Sequence, residues 1–233
     1  MAEFESEIRK AIRESLGLSS ERDSRGIIEE AYVTQPKKFN LSTEFLSEKS
    51  KHAHFELFEK YVETLNQVSA QLDAANREDA SSDHSSYRSL KIDEIYNLNA
   101  AFLHGLFFEN ISDLKSQITM DSLTYMRLER DFGTFDEWQK DFIACAMSAR
   151  NGWALTVYNT FLNRYMNVCI DSNNINIPIS SFPVIVLNCG EHAYYRDYLN
   201  DKKTYVFAMM KELDWETIEG RIKKAEKISK VAK

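Results

Sequence analysis

The sequence predicts an α+β protein in which long helices come first and a small antiparallel sheet flanked by helices follows. Three observations support this class. Apolar residues recur at helical spacing through the first half of the chain, runs rich in β-branched and aromatic residues appear only after residue 150, and helical spacing returns after residue 190. Helices followed by a group of strands with further helices are typical of α+β architecture.

Residues 1–42 are predicted to form an N-terminal extension made of one helix and a linker. Apolar residues recur at helical spacing from Phe4 to Leu16, and Gly17 ends that pattern. The polar stretch that follows contains Pro36 and is typical of a linker.

Residues 43–112 are predicted to form a hairpin of two long helices. The first helix is predicted from Thr43 to Ala75, and the second from Ile92 to Asn110. The apolar residues of the first helix lie on one stripe: Phe55, Phe58, Val62, Leu65, Val68 and Leu72. The second helix is apolar on nearly all sides, which predicts a central, buried helix.

Residues 113–233 are predicted to form the α+β part of the chain. Two helices, Asp121–Phe132 and Phe135–Ala149, come first, and Thr134 with Glu137 forms a capping box at the start of the second. Three strands follow, then helices from Glu191 onward. The predicted strands are Trp153–Tyr158, Tyr165–Ile170 and Phe182–Leu187.

Composition and charge exclude several classes of protein. The chain is 43% apolar and 28% charged, as a soluble globular protein is, and no apolar run approaches the roughly 20 residues of a membrane span. A net charge of −7 argues against nucleic-acid binding. The acidic N-terminus has no signal-peptide pattern, and the three cysteines share no ligand-like spacing, so we expect a cytoplasmic protein.

The C-terminal segment is basic although the chain is acidic. From Arg221 to Lys233 there are six basic residues and one acidic residue, Glu226. Two interpretations stay open: these cations complement the dipole of the last helix, or they form a docking tail for an acidic partner.

Two segments carry the residues with chemical potential. Leu187–Tyr195 reads Leu-Asn-Cys-Gly-Glu-His-Ala-Tyr-Tyr, and Asn97–Asn110 reads Asn-Leu-Asn-Ala-Ala-Phe-Leu-His-Gly-Leu-Phe-Phe-Glu-Asn. These segments resemble the iron/manganese superoxide dismutase family, whose strand end reads Asp-x-Trp-Glu-His-Ala-Tyr-Tyr and whose helix reads Asn-Ala-x4-His-Ser-Leu-Phe-Trp-Glu-Asn. With Asp131–Phe135 and Gly152–Ala154, the resemblance covers about residues 45–220. It implies that family's fold.

The resemblance also implies a metal site, because these enzymes hold one redox metal with three imidazoles and one carboxylate. His104 and His192 stand at two ligand positions. For the third position, an alignment on Leu46-Ser47 selects His54, and an alignment on Tyr61-Val62 selects Ala53 instead. We take His54 as the candidate ligand, and Ala53 stays the alternative.

The fourth position differs from the family, because Asn188 replaces its aspartate. The amide oxygen of Asn188 can coordinate a metal but brings no charge. Outer positions differ too: where the family has cavity-lining tryptophans or a glutamine, this chain has Phe108, Leu155, Gly190 and, for the glutamine, Ala100 or Asn174–Asn176. Such outer partners tune a metal's potential, so their joint replacement predicts an eroded site.

Glu191 and Tyr195 match the family residues that reach across its dimer interface, so a homodimer is expected. The sequence thus predicts a pseudoenzyme: a superoxide-dismutase-fold protein that acts as a structural or interaction subunit among protein partners in a larger assembly, such as a virion. The expected cofactor is none, or weakly bound iron or manganese, at His54, His104, Asn188 and His192. One alternative is a divergent iron or manganese dismutase that converts superoxide to oxygen and hydrogen peroxide. Another is a metal protein with a different redox or storage role.

Overall fold

The computed structural model describes residues 34–111 and 116–231, and the helix predicted in residues 3–16 lies outside them. Helices precede and follow one small sheet, so the predicted α+β class is confirmed. The described elements are α1 (Glu48–Ala74), α2 (Ser86–Asn110), α3 (Leu123–Phe132), α4 (Phe135–Ser148), β1 (Trp153–Asn159), β2 (Arg164–Ile170), β3 (Ser181–Asn188), α5 (Glu191–Tyr198), α6 (Lys202–Lys211) and α7 (Trp215–Val231).

The chain divides into two compact units. Among the described residues, the first unit holds residues 34–37 and Glu56–Phe102. The second unit holds Lys38–Phe55 and the chain from Leu103 onward. One unit boundary falls within α1 and another within α2, so each of these helices contributes one portion to each unit.

Five of the six residues of the predicted α1 stripe lie in the first unit and confirm it, whereas Phe55 lies in the second unit and is half-buried. Phe58, Val62, Leu65, Val68 and Leu72 are all buried, as their recurrence every three or four residues requires. At the start of the same unit, Asn66 is hydrogen bonded twice to the backbone of Thr34.

The prediction that α2 is buried on all sides is wrong for the portion in the first unit. Ile92, Ile95, Leu98 and Phe102 are between 38% and 49% exposed. They follow one another at three- or four-residue intervals, so they form one exposed apolar row, named here the α2 stripe. Hydrophobic periodicity identifies apolar faces, but it does not say which of them the same chain covers.

In the second unit, the sheet has the order β2-β1-β3, and both pairings are antiparallel. The central strand β1 is buried along its whole length, because it has a neighbour on each side and α4 packs on the sheet. The three observed strands agree with the predicted ones to within a residue at each end. The Thr134 half of the predicted capping box of α4 is confirmed, since the Thr134 side chain accepts a hydrogen bond from the Glu137 N–H at 3.1 Å. The carboxylate of Glu137 accepts instead from Lys140 at 2.6 Å.

The basic residues of the C-terminal helix do not share one environment. Arg221 is 5% exposed, and its guanidinium donates to the carbonyl of Leu106 at 2.8 Å and to the carboxylate of Glu109 at 2.9 Å. Lys223, two residues further on, keeps most of its side chain in solvent. The docking-tail interpretation therefore fails for Arg221, which is an internal anchor of α7.

Within the described residues, every helix is too short or too polar to span a bilayer.

A candidate metal site formed by three histidines

Three histidines from three helices meet inside the second unit. His54 lies on α1, His104 on α2 and His192 on α5, and a ring nitrogen of each lies within 4.8 Å of the others. Asn188, the last residue of β3, points its side chain into the same space. This group is named here the histidine cluster. The short connection between β3 and α5 brings Asn188 and His192 together, because Gly190 caps α5 directly after the strand.

Burial keeps two rings of the cluster, those of His54 and His192, uncharged. His54 is 3% exposed, and its burial, together with the neighbouring His104 and His192, lowers the pKa of His54 well below its ordinary value. His192 is exposed as a residue, but its Nε2 faces the cluster, and burial of that side lowers the pKa of His192 to about 4. At neutral pH these two imidazoles therefore keep a free lone pair for a metal or a hydrogen-bond donor.

The amide of Asn188 presents its nitrogen to the cluster. Its Nδ2 lies 2.9 Å from Nε2 of His192, 3.1 Å from that of His54 and 3.4 Å from that of His104. Its Oδ1 accepts a hydrogen bond from the N–H of Gly190 at 2.9 Å. A backbone N–H can only donate, so it selects the amide oxygen, and the NH₂ group must face the rings.

Aromatic side chains surround the cluster and make it apolar. The ring of Trp153 meets His104 edge-on with centroids 4.8 Å apart, and the ring of Phe108 meets His54 edge-on at 5.1 Å. Phe39 covers Phe108 in turn, at 5.3 Å. Few polar groups are therefore available to stabilise a charge in the cluster, which is why burial depresses the pKa values of His54 and His192.

Backbone contacts hold Asn188 and its neighbours in position. The hydroxyl of Tyr205 donates to the carbonyl of Asn188 at 2.8 Å, and the side chain of Asn151 accepts from the N–H of Glu191 at 3.2 Å. Sequence reasoning missed Tyr205, Asn151 and Phe39 as supports of the site. Tyr205 lies in a segment that resembles the family, which was a usable signal, whereas nothing in the sequence marked Asn151 or Phe39.

The structure brings together the four residues predicted around a metal: His54, His104, Asn188 and His192. His54 and not Ala53 enters the cluster, which decides between the two alignments of α1. Glu191 and Tyr195 lie outside it, exposed on α5. At Gly190, a Cβ atom would come within 2.6 Å of the His192 ring, so the ring occupies space that a side chain at position 190 would need.

Three imidazoles brought together by three helices are typical of a protein that holds a single metal ion. Residues 121–221 match the family model of iron/manganese superoxide dismutases, C-terminal domain. An iron superoxide dismutase of Aquifex pyrophilus is 31% identical over 188 residues, which cover 79% of this chain and 87% of that protein. A manganese superoxide dismutase of Halobacterium salinarum is 33% identical over 165 residues, 71% of this chain and 80% of the relative. The chain belongs to the iron/manganese superoxide dismutase family.

The side chains of the cluster fit an iron or manganese ion only in part. Three ring nitrogens offer the kind of ligand that iron accepts. At the fourth position, however, Asn188 directs an NH₂ group inward, and an amide nitrogen donates hydrogen bonds but does not ligate. Turning the amide by 180° would supply an oxygen but would set its NH₂ group against the Gly190 N–H. The oriented donor set therefore lacks both the anion and the oxygen that this position needs.

Proposed function

We propose that this chain is a non-catalytic member of its family and serves as a structural or interaction subunit. One observation carries the proposal: the inward NH₂ group of Asn188 stands where an anionic oxygen is needed. Superoxide disproportionation requires a metal that passes between two oxidation states. The higher charge is costly in apolar surroundings unless an anion compensates it. The described side chains of the cluster provide no such anion.

The interaction role is supported by the α2 stripe. Four large apolar side chains in one exposed row are uncommon on a surface that faces only water. We propose that the α2 stripe contacts a protein partner in a larger assembly, in the cytoplasm or in a virion.

A homodimer is proposed through the exposed face of α5. Tyr195 is 54% exposed and Glu191 is exposed beside it, so both side chains are available to a second copy. In the family, these positions reach across the dimer interface.

The test of the catalytic part is a superoxide assay on protein loaded with iron and, separately, with manganese. We expect no turnover above that of the free metal in buffer. The matched control is His192→Gln, which removes one imidazole and leaves the surface of α1 and α2 unchanged. The proposal would be refuted if the natural sequence turned over superoxide and His192→Gln abolished that turnover.

The test of the interaction part is the sedimentation of surface variants. Tyr195→Arg is expected to shift a dimer to monomer, and Leu98→Gln with Phe102→Gln is expected to abolish any contact through the α2 stripe. Ile179→Gln is the control, because Ile179 is 90% exposed but lies outside both surfaces. Equal sedimentation of Tyr195→Arg and the natural sequence would refute the homodimer through α5. Equal sedimentation of Leu98→Gln with Phe102→Gln and the natural sequence in cell extract, where partners are present, would refute the α2 stripe as an interface.

The second candidate is a divergent iron or manganese superoxide dismutase. It is favoured by the convergence of three ring nitrogens and by the lowered pKa values of His54 and His192, which leave their lone pairs available. The same assay decides between the two candidates.

A further inference from the structure

We propose that the side-chain amide of Asn188 takes the place of the metal ion, so that its two N–H bonds hold the histidine cluster together without a metal. The inference rests on the proposed function, because a dismutase would need the metal that the amide replaces. The inference goes beyond the proposed function, because a non-catalytic protein could still require a metal for its structure. We infer that this protein does not require one.

The NH₂ group of Asn188 supplies hydrogen-bond donors to the three ring nitrogens that face it. A neutral imidazole whose proton lies on Nδ1 accepts at Nε2, and all three Nε2 atoms face the NH₂ group. Its two N–H bonds serve His192 and His54, which make the shorter contacts of 2.9 and 3.1 Å. His104, at 3.4 Å, makes the longest contact and shares a donor. Buried polar atoms are paired in stable proteins, and here the pairing needs no ion.

The amide has no low-cost alternative orientation. Its oxygen is engaged by the Gly190 N–H, and a flipped amide would lose that hydrogen bond and set two donors against each other. The same flip would turn an acceptor oxygen toward the ring nitrogens. The backbone cannot withdraw either, since Asn188 pairs with Trp153 in the sheet and its carbonyl accepts from Tyr205.

An aspartate at position 188 would remove the N–H donors that hold the histidine cluster together without a metal. Aspartate has nearly the same shape as asparagine, and one of its oxygens could keep the bond to the Gly190 N–H. The other oxygen would then face three ring acceptors, and the cluster would need a metal cation, an added proton or a ring proton moved to Nε2 to be stabilised. One atom therefore separates a cluster that is complete by itself from one that a metal can stabilise.

The experiment compares the full-length chain with Asn188→Asp, each stripped with a chelator and then titrated with manganese(II), iron(II) or zinc(II). We expect the midpoint of thermal unfolding of the natural sequence to be the same in chelator and in metal. For Asn188→Asp we expect a midpoint several degrees lower in chelator, which any metal that binds restores. The control is Asn173→Asp, a buried asparagine that bonds Trp153 beside the cluster and leaves Asn188 unchanged; it should show no recovery with metal.

A second measurement keeps the inference testable if Asn188→Asp does not fold. In the natural sequence, nitrogen NMR of the imidazoles should show the Nδ1–H form for His54 and His192, each accepting at Nε2. An Nε2–H form at these rings would overturn the inference.

The inference also fails if the natural sequence binds one metal ion per chain and loses thermal stability when a chelator removes it. That outcome would leave the proposed function standing if the metal-loaded protein showed no turnover. Turnover would overturn both.

Discussion

Two buried asparagines lie at the same strand, β3, and their side-chain amides have different hydrogen-bond partners. Asn110, the last residue of α2, donates from Nδ2 to the carbonyl of Val186 at 2.6 Å, and its Oδ1 accepts from the guanidinium of Arg221. Asn188 bonds a backbone N–H and the imidazoles of the histidine cluster. One amide is paired with a permanent cation and the other with uncharged rings. An amide next to a charge is an anchor whose loss is costly, whereas an amide among neutral groups is easier to replace.

The guanidinium of Arg221 is the permanent cation beside Asn110. Burial lowers the pKa of Arg221, whereas the carboxylates of Glu109 and Asp214 act to raise it. A guanidinium stays protonated in proteins, so this ion is buried with its charge. The contacts with Glu109, Asn110 and the Leu106 carbonyl compensate for part of the lost hydration.

The largest expected effect comes from removing that cation. Arg221→Met should lower the free energy of unfolding by about 3 kcal/mol, because it removes the buried cation to which Asn110 and Glu109 are bonded. Lys223→Met is the control, since Lys223 makes only an exposed pair with Glu219 and should cost about 0.5 kcal/mol. Urea unfolding of both variants measures the difference, and equal midpoints would contradict the anchor role of Arg221.

A direct comparison of the two amides is the next test. Asn110→Ala should cost about 2 kcal/mol, because a hydrogen bond to a charged group is lost, and Asn188→Ala should cost about 1 kcal/mol, because its partners are uncharged. Both values come from chemical unfolding in chelator. A larger loss for Asn188→Ala would reverse the ranking of the two amides.

The charged contacts of α7 should also depend on pH. Partial burial acts to raise the pKa of Glu226, but the hydrogen bonds and charge of Arg127, with the Tyr165 hydroxyl, outweigh it and hold that pKa below 4.5. A lowered carboxyl pKa contributes stability that is present above pH 4.5 and is lost as the pH falls through the lowered value. We expect a loss of about 1 kcal/mol, measured by urea unfolding between pH 6 and pH 3. Glu226→Gln should reduce the change in the free energy of unfolding between pH 6 and pH 3. An unchanged pH dependence would show that Glu226 is not its source.

The smallest effect is expected beside the histidine cluster. In Gly190→Ala, the new Cβ would lie 2.6 Å from Cε1 and 2.9 Å from Nδ1 of His192, and 3.0 Å from Oδ1 of Asn151. A small shift of these two side chains relieves the contacts, so the loss should be about 0.5 kcal/mol. Gly220→Ala, inside α7 and with open space around it, should instead gain about 0.5 kcal/mol. Differential scanning calorimetry measures both changes in stability and shows whether Gly190→Ala destabilises the protein while Gly220→Ala stabilises it. A loss above about 2 kcal/mol for Gly190→Ala would mean that the His192 ring cannot move.

The sequence by itself determined the order of helices and strands, the capping of α4, and the residues His104, Asn188 and His192. Each of these follows from patterns within one contiguous segment: spacing, propensity or a motif. Only the tertiary structure decided that His54 and not Ala53 joins the cluster, that Arg221 is buried, and that the α2 stripe is exposed. It also decided which atom of the Asn188 amide faces the rings. These outcomes depend on which groups from distant segments meet, and a linear pattern does not contain that information. The Gly190 N–H orients the amide and the packing of α1 selects the histidine, so the chemistry of the site follows from contacts.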